Sequence, residues 1–404
     1  MIENDTHNIL VIGMDVVSLA TSATKAGYKV YAVDYFGDQD LKRVCHESLS
    51  IVKQTPWVVC GQLSTNFSPE ALLQLTMRLL KKNAIDVTLL STGLDDSPDV
   101  LFELNDMIPI LGNHPHVIER IRDKMKFFQE LERLEIPHPE TAMAENFEEV
   151  RKKAKDIGYP VLVKPSKGFG GVGIRKAQGP KELKQAFHHA YLIDEKVLIQ
   201  EYISGISASV SLISSNNETI TLTLNEQLLG VNELGQEEPF GYCGNVVPLV
   251  TNGSVMNRCK NTAEKITSHF GLVGSNGIDF VISKEGIPYI VEVNPRFQAT
   301  LECVERVLGI NMVEAHMKAC LQGILPIIAK KTAVFCTRLI LFASQRLVVP
   351  DLSVLEEVRD IPIPEIIIEK GEPVCSIVVD EAKREFSLRK AMTTVKQIRK
   401  SLQP

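Results

Sequence analysis

The sequence lacks the features that mark several common classes of protein. It has no run of 18 apolar residues, and its start, MIENDTHNIL, is polar and acidic where a signal peptide would be basic and then apolar. The formal net charge of -6 leaves no basic stripe that could neutralise a row of phosphates. We therefore expect a soluble, cytoplasmic protein that binds neither membranes nor nucleic acid.

Cysteine chemistry has little support in the sequence. The eight cysteines include no C-x-x-C pair, which argues against a structural zinc site or a disulfide framework. No credible Ser-His-Asp or Cys-His set is present for nucleophilic catalysis. Cys243 lies in the short segment 240–245, and we interpret it as an ordinary loop cysteine that faces a substrate cleft.

The length of the chain and its first apolar runs indicate an α/β domain at the start. Because 404 residues are too many for one compact core, we expect two to four domains. Residues 1–112 combine a helical stretch at 16–26 with short apolar runs, which we predict as strands at 8–12, 28–34, 86–90 and 108–111. This alternation predicts a small parallel sheet with helices on its faces.

The first strand-to-helix turn resembles a dinucleotide fingerprint only weakly. Gly13, Asp15 and Ser18 form a G-x-D-x-x-S pattern, in which two of the three glycines that let backbone approach a pyrophosphate are absent. We interpret the pattern as a plain turn. An NAD-dependent oxidoreductase is accordingly the weakest of the functional alternatives.

The rest of the chain divides into a larger central region and a final module. Residues 113–328 form the second predicted domain, with a small lobe at about 137–203. Its predicted helices lie at 115–134, 180–191 and 312–321, and its strands at 160–165, 197–203, 207–224 and 276–293. Residues 329–404 predict a separate β-rich module, with strands at 333–343, 365–368 and 374–379 and a terminal helix.

A glycine-rich segment follows one of the predicted buried strands. The strand ends at Lys164, and the loop after it contains Lys167, Gly168, Gly170, Gly171 and Gly173. Glycines let backbone N–H groups converge on anionic oxygens, and a lysine adds a point charge to the same groups. The segment is therefore typical of a loop that folds over phosphates, although a glycine-rich hairpin with a solvated lysine would look the same.

Acidic and amide side chains meet at the ends of two later strands. Glu292 and Asn294 are two residues apart and share one face of a strand, and a hairpin through 284–286 brings Asp279 alongside. The residues that flank them are apolar and predicted to be buried, so the carboxylates need a cation. Mg²⁺ prefers such oxygen donors and completes its shell with water and nucleotide phosphates.

The set as a whole resembles the ATP-grasp superfamily, whose motifs occur in a fixed order along the chain. The resemblance spans about residues 8–325. The matching segments are, in order, Asp123-Lys124, Lys164-Pro165, Lys167 to Gly173, Gln200 to Ile203, Asp279, and Glu292 with Asn294 and Arg296. The implied fold is an ATP-grasp domain preceded by a Rossmann-like domain and followed by the small β-rich module.

The resemblance also implies a role for each matching residue. The ATP phosphates would be contacted by Lys124, Lys164 and the loop from Lys167 to Gly173. The adenine would lie against the hinge formed by Glu201, Tyr202 and Ile203. Asp279, Glu292 and Asn294 would hold Mg²⁺, with Mn²⁺ as an alternative. Arg296 would stabilise an acyl phosphate and the oxyanion of a tetrahedral intermediate, with Lys164 and Asn294 as further catalytic groups.

One position departs from the family pattern. Many relatives carry a glutamate in place of Ser207, where it binds the ribose hydroxyls, and a serine is shorter and neutral. The nucleotide preference is therefore less firmly indicated than the fold, with ATP favoured.

The expected activity is that of a carboxylate-amine ligase. Such an enzyme activates a small carboxylate as an acyl phosphate and passes it to an amine, and a homodimer is one option for its assembly. The alternatives are a biotin-carboxylase-like carboxylase, which acts on bicarbonate, and a nonenzymatic nucleotide sensor. The sequence does not identify the substrates.

Overall fold

The N-terminal part of the chain is a parallel sheet with helices on its faces. A computed structural model describes residues 7–328 and 334–402. The first four strands are β1 (Asn8–Ile12), β2 (Lys29–Asp34), β3 (Glu47–Ser50) and β4 (Val87–Leu90), in the order β3-β2-β1-β4. The helices are α1 (Val17–Lys25), α2 (Gln39–Val44), α3 (Leu63–Asn66), α4 (Pro69–Leu80) and α5 (Pro98–Met107).

The sequence of β1 explains why this sheet is covered on both sides. Ile9, Leu10, Val11 and Ile12 are all fully buried, as expected for a central parallel strand that has helices on both faces. The strand predicted at 108–111 does not form. Ile110 instead makes a single parallel bridge to Thr88, in the short segment 108–114 between α5 and the next helix.

The helix predicted over 115–134 is two helices. They are α6 (Pro115–Arg122) and α7 (Lys124–Arg133), and the chain breaks at Asp123. The Asp123 side chain caps α7 by accepting a hydrogen bond from the Lys126 N–H at 3.2 Å, which satisfies a donor that a continuous helix would have paired. Arg122 is therefore the last residue of α6 and Lys124 is the first residue of α7.

The small lobe is an antiparallel sheet covered by two helices. Its strands are β5 (Thr141–Ala144), β6 (Val161–Pro165), β7 (Arg175–Ala177) and β8 (Val197–Glu201), in the order β5-β8-β6-β7. The helices are α8 (Phe147–Ile157) and α9 (Pro180–Tyr191). Small and branched apolar side chains such as Val150, Val163 and Ala186 fill the core between sheet and helices.

An eight-stranded antiparallel sheet forms the largest part of the structure. Its order is β13-β12-β9-β10-β11-β14-β18-β16. The strands are β9 (Gly205–Ser214), β10 (Thr219–Leu229), β11 (Tyr242–Val247), β12 (Gly274–Ser283), β13 (Pro288–Asn294), β14 (Phe335–Phe342), β16 (Val358–Arg359) and β18 (Pro373–Glu381). Two short strands, β15 (Leu347–Val348) and β17 (Ile367–Ile368), pair separately. The remaining helices are α10 (Gly253–Phe270), α11 (Leu301–Leu308), α12 (Met312–Gln322) and α13 (Arg384–Ser401), with a 3₁₀ turn at Asn232–Leu234.

The C-terminal strands β14, β16 and β18 belong to the large sheet, whereas the prediction of a separate module implied that they would form a sheet of their own. Strand β14 pairs with β11 from Gly244 opposite Leu339 to Val247 opposite Cys336, so the large sheet continues into the C-terminal segment. Unpaired backbone groups at the edge of β11 need such a partner, and β14 supplies it. The first residues of the predicted strand at 333–343 include residue 333, which lies outside the described residues. The division at 328 stays a prediction.

Helices in the described parts of the chain, 7–328 and 334–402, are too short or too polar to cross a bilayer.

A buried histidine joins α12 to the large sheet and to the segment that follows the N-terminal sheet. The His316 Nδ1 accepts a hydrogen bond from the Ser275 N–H at 2.8 Å, and its Nε2 lies 3.0 Å from the Leu111 carbonyl oxygen. This pairing requires the neutral ring with its proton on Nε2. A Cβ on Gly274 would lie 2.3 Å from the His316 Cε1, so only glycine leaves room for the ring.

Protonation of His316 is expected to destabilise the fold in acid. Burial lowers the His316 pKa from 6.5 to about 4, so the contribution of the neutral ring is complete above pH 6.5 and is lost as the pH falls toward about 4. At about 1.4 kcal/mol per pH unit, the loss reaches about 3 kcal/mol. The measurement is the free energy of urea unfolding between about pH 8 and about pH 4.5, for the wild type and His316→Gln.

The difference between the wild type and His316→Gln should shrink as the pH falls. His188→Gln serves as the matched control because His188 is an exposed residue of α9. Parallel stability curves for wild type and His316→Gln over the whole range would contradict the prediction.

Candidate functional site

A cleft of about 710 Å³ opens where the three large sheets meet. The loop between β4 and α5 forms one wall, the small lobe and its glycine-rich loop form another, and strands of the eight-stranded sheet form the floor. The predicted site residues that line it are Lys164, Lys167, Gly168, Gly170, Gly171, Glu201, Tyr202, Ile203, Ser207, Asp279, Glu292, Asn294 and Arg296. Lys124 and Gly173 lie just behind this lining and contact Glu292 and Glu238, respectively.

Two carboxylates and an amide converge on the floor of the cleft. Asp279 of β12 and Glu292 of β13 stand opposite each other in the antiparallel pair. The Asn294 Nδ2 donates a hydrogen bond to the Asp279 Oδ2 at 3.1 Å, and the Gln227 Nε2 donates to the other carboxylate oxygen at 3.0 Å. The structure thus brings together the three side chains that the sequence predicted as metal ligands.

The two carboxylates have opposite electrostatic surroundings. Burial opposes the ionisation of Glu292, but the charges of Arg122 and Lys124 outweigh it and hold its pKa below the ordinary value. The Lys124 Nζ lies 2.7 Å from the Glu292 Oε1, and the Arg122 Nη1 contacts the same oxygen. Burial and the nearby charge of Glu292 raise the pKa of Asp279 to about 7. The positive charge near Asp279 is therefore too small to offset its burial and the charge of Glu292.

A divalent cation fits this donor set only if other ligands complete its shell. In the described residues, no group of three or more His, Cys, Asp or Glu side chains is arranged to hold a metal by itself. Asp279, Glu292 and Asn294 offer two carboxylates and an amide oxygen. Mg²⁺ and Mn²⁺ accept such oxygen donors, and Mg²⁺ usually keeps waters and substrate phosphates as its remaining ligands. The residues therefore fit a nucleotide-dependent metal site.

Lys164 projects from the end of β6 into the same cleft. Its Nζ donates a hydrogen bond to the Gln200 Oε1 at 2.9 Å, and only 9% of the residue is exposed. Burial, and next the charge of Lys124, lower the pKa of Lys164 to about 7. In the described residues, the Lys164 ammonium group hydrogen-bonds only to a neutral amide, and a bound phosphate group would supply a directly paired anion.

Arg296 is held by a carboxylate from the N-terminal sheet. Its Nε donates to the Asp95 Oδ2 at 2.8 Å and its Nη2 donates to the Asn294 Oδ1 at 3.1 Å. The guanidinium is thereby fixed next to the predicted metal ligands and still lines the cleft. An arginine held in this way presents its planar donors in one orientation.

The glycine-rich loop lies across the mouth of the cleft. The Gly168 N–H donates to the Asp96 Oδ2 at 3.2 Å, the Tyr242 N–H donates to the Gly170 carbonyl oxygen at 2.9 Å, and the Gly173 N–H donates to the Glu238 Oε2 at 2.9 Å. These contacts join the loop to the N-terminal sheet on one side and to the large sheet on the other. The Lys167 side chain is exposed at the start of the loop.

The hinge after β8 presents the backbone N–H of Ile203 on the opposite side of the cleft. The Tyr202 N–H is bonded to the Pro160 carbonyl oxygen at 3.1 Å. In the part of the chain that the structure describes, the Ile203 N–H has no hydrogen-bond acceptor. Lys176 places its Nζ 3.5 Å from the centre of the Tyr202 ring. Ile203 can therefore bind an acceptor on a planar ligand through its main chain.

Serine at position 207 belongs to a regular row of small polar residues. Along β9, Ser207 and Ser209 line the cleft, whereas Ala208 and Val210 pack into the core on the other side. This alternation follows from the pleat of the strand. Ser207 therefore presents a short, neutral side chain to the cleft, and its role toward a ribose stays a prediction.

Two interpretations from the sequence need correction or addition. Cys243 is not a loop cysteine that faces the cleft: it lies in β11, is fully buried in the core, and donates from its Sγ to the Gly241 carbonyl oxygen at 3.4 Å. The pleat of β11 turns its neighbour Tyr242 toward the cleft instead. Four polar residues that position the site were not predicted from the sequence, namely Asp95, Asp96, Arg122 and Gln227. Gln200 lies in a predicted motif, but no role was predicted for its side chain. Arg122 stands beside Asp123-Lys124, which was the one available signal.

Comparison with known proteins agrees with this geometry. Residues 121–300 match the family description of an ATP-grasp domain. The chain carries an ATP-grasp domain. It is 28% identical to an uncharacterized protein of Methanocaldococcus jannaschii, over 92% of this chain and 88% of that protein. It is also 30% identical to the arginine-specific carbamoyl phosphate synthase large chain of Bacillus subtilis, over 51% of this chain. That match covers only 20% of the synthase chain.

Solved structures show the same ATP-grasp fold over almost the whole chain. Biotin carboxylase from Campylobacter jejuni, in complex with a β,γ-ATP ligand, superposes with a TM-score of 0.74 and 19% identity, over 95% of this chain and 89% of that one. L-amino acid ligase from Bacillus licheniformis superposes with a TM-score of 0.71 and 14% identity, over 98% of both chains. The α/β ATP-grasp fold predicted from the sequence is confirmed.

The close approach of the glycine-rich loop to the large sheet yields a test of its role in the ATP-grasp domain. A Cβ on Gly171 would lie 2.0 Å from the Phe240 carbonyl oxygen, which is backbone and cannot move aside. We therefore expect Gly171→Ala to displace the loop and to weaken Mg-ATP binding by about tenfold or more, about 1.4 kcal/mol. Isothermal titration calorimetry measures the affinity, and circular dichroism checks the fold.

Gly170→Ala is the matched control for this variant. Gly170 and Gly171 both have positive φ, +62° and +75°, so alanine strains the backbone at either position. Only the Cβ at 171 meets another atom, because nothing lies within 4 Å of a Cβ at 170. Equal losses of affinity in the two variants would show that backbone strain, and not contact with Phe240, controls the loop.

Proposed function

We propose that the protein is a Mg-ATP-dependent ligase that activates a small carboxylate as an acyl phosphate and joins it to an amine, releasing ADP and phosphate. The observation that carries the proposal is the charge arrangement of one cleft. Asp279 and Glu292 stand together on its floor, and Lys124, Lys164, Arg122 and Arg296 surround them. This arrangement matches the needs of phosphoryl transfer, which depends on positioning and charge neutralisation.

The nucleotide would lie between the small lobe and the large sheet. Lys124 and Lys164 would contact its phosphates, and the loop from Lys167 to Gly173 would close over them. The adenine would meet the free Ile203 N–H at the hinge, next to Tyr202 and Glu201. Ser207 would lie near the ribose and leave it more weakly held than a glutamate would.

The metal-binding group would neutralise charge on the transferring phosphoryl group. Asp279, Glu292 and Asn294 would hold Mg²⁺, or Mn²⁺ in its place, and the raised pKa of Asp279 supports the need for a cation there. A bound divalent ion supplies Lewis-acid stabilisation to phosphate oxygens. The chain itself orients these three ligands through the Asn294–Asp279 hydrogen bond and the Lys124–Glu292 ion pair.

Arg296 would act on the second half of the reaction. A carboxylate is a poor electrophile at neutral pH, and its phosphorylation creates a good leaving group. When an amine attacks, the carbonyl oxygen becomes negative, and donors fixed in advance stabilise it most effectively. The Asp95 contact holds the Arg296 guanidinium in one orientation and so favours this role.

A carboxylase is the second candidate, and the fold supports it through the likeness to biotin carboxylase. Such an enzyme would phosphorylate bicarbonate. A nonenzymatic sensor would bind Mg-ATP but would have no need for the fixed Arg296 guanidinium.

Hydroxylamine offers a direct test of the ligase proposal, because it replaces the unknown amine and traps acyl phosphates as hydroxamates. A panel of carboxylates would be incubated with the wild type, Mg-ATP and hydroxylamine, with ADP release and hydroxamate mass as readouts. A carboxylate that yields both supports the ligase. ADP release that depends on bicarbonate alone would favour the carboxylase, and binding of Mg-ATP without turnover across the panel would favour the sensor.

Replacement of Arg296 by lysine separates catalysis from nucleotide binding. Lysine keeps the charge and loses the planar fork, so we expect Arg296→Lys to lower kcat by roughly a hundredfold to a thousandfold, with ATP affinity changed much less. The measurement is kcat for hydroxamate formation beside the Kd for Mg-ATP. The control is Arg346→Lys, at a side chain that is 59% exposed. An unchanged kcat with a tenfold weaker Kd would place Arg296 on the nucleotide.

A further inference from the structure

One carboxylate on the wall of the cleft contacts both the glycine-rich loop and the charge network of the floor. Asp96 lies in the loop between β4 and α5 of the N-terminal sheet. Its Oδ1 accepts from the Arg122 Nε at 2.7 Å, and its Oδ2 accepts from the Arg122 Nη2 at 2.8 Å. The Oδ2 also accepts from the Gly168 N–H at 3.2 Å. A single side chain therefore joins residues from three separate parts of the fold.

The second partner of Arg122 extends this connection to the predicted metal site. The Arg122 Nη1 contacts the Glu292 Oε1, and only 8% of the Arg122 side chain is exposed. A bidentate pair with Asp96 fixes the plane of the guanidinium, which in turn fixes where its third nitrogen meets Glu292. The path runs from the Gly168 N–H through Asp96 and Arg122 to Glu292, with a hydrogen bond or ion pair at each step.

The opposite end of the loop has an anchor that lacks this connection. The Gly173 N–H donates to Glu238, and Glu238 pairs with Arg175 of the same lobe. None of the contacts of Glu238 in the described residues reaches Arg122 or Glu292. Asp96 and Glu238 thus both hold the loop closed, and Asp96 alone also holds the arginine that orients Glu292.

We propose that Asp96 is a positioning residue that couples closure of the glycine-rich loop to the placement of Glu292 for the metal. The inference rests on the proposed function, since it concerns the nucleotide and metal of that site. When the loop closes, the Gly168 N–H donates a hydrogen bond to the Asp96 carboxylate, which also aligns Arg122. A closed loop and a correctly placed Glu292 then stabilise each other, so each is more populated when the other is present.

A binding measurement and a proteolysis measurement on the wild type and its variants test the coupling without any knowledge of the substrates. The probe is ADP, titrated once in the presence of Mg²⁺ and once in the presence of EDTA. The ratio of the two dissociation constants, called the metal increment below, measures how much the metal strengthens ADP binding. Trypsin cleavage after the exposed Lys167 reports loop closure, with and without Mg-ADP. The proteins are the wild type, Asp96→Asn, Glu238→Gln and Asp99→Asn. Asp99 is an exposed residue in the first turn of α5, close to Asp96.

The coupling predicts a different pattern for each variant. Asp96→Asn should lose the protection of Lys167 and also reduce the metal increment by about tenfold, because Arg122 no longer aligns Glu292. Glu238→Gln should lose protection and keep the metal increment. Asp99→Asn should resemble the wild type in both readouts. Asp96→Glu, which keeps the charge on a longer side chain, should retain part of the protection of Lys167 and part of the metal increment. It replaces Asp96→Asn if that variant does not fold.

Several outcomes would overturn the inference. If Asp96→Asn lost protection but kept the full metal increment, as expected for Glu238→Gln, then Asp96 would act on the loop alone. If it kept both, the residue would have no positioning role. Failure of the wild type to bind ADP under any condition would instead overturn the proposed function, and the coupling with it, so the two failures are distinguishable.

Discussion

The pairing of the partly buried carboxylate Glu292 is the constraint on which the rest of the site depends. A carboxylate removed from water is stable only when cations and hydrogen bonds replace its hydration. Arg122 and Lys124 supply the cations, and they do so because the chain breaks at Asp123 and turns both residues toward β13. In a continuous helix, side chains two residues apart point to opposite sides of the axis, so Arg122 and Lys124 could not both face Glu292. The helix break at Asp123 therefore lets both cations pair with Glu292.

The same pairing draws the N-terminal sheet into the site. Arg122 needs a second acidic partner to share its charge, and Asp96 provides it from the loop between β4 and α5. The neighbouring Asp95 holds Arg296 in a similar way. Two consecutive aspartates on one loop therefore orient two arginines from different elements. Because the N-terminal sheet sets the position of both, it contributes to the chemistry of the cleft although the ATP-grasp match itself spans residues 121–300.

Local patterns in the sequence predicted the fold class and most elements, and they failed where a choice depended on distant partners. The helix over 115–134 looked continuous because Asp123 fits an exposed helical position as well as a cap. The C-terminal strands looked separate because a strand's apolar pattern does not say which neighbour it pairs with. The pairing of β14 with β11 is a long-range choice, fixed only when the edge of the large sheet is formed.

By itself, the sequence determined the order of the motifs and the residues that share a strand face. Glu292 and Asn294 lie two apart, so any strand places them together, and glycines after Lys164 predict a loop in any context. Only the tertiary structure decided which cations meet which carboxylates. Arg122 is 170 residues from Glu292, and Asp95 is 201 from Arg296. Pairs so far apart leave no period or spacing in the sequence, because folding alone brings their elements into contact.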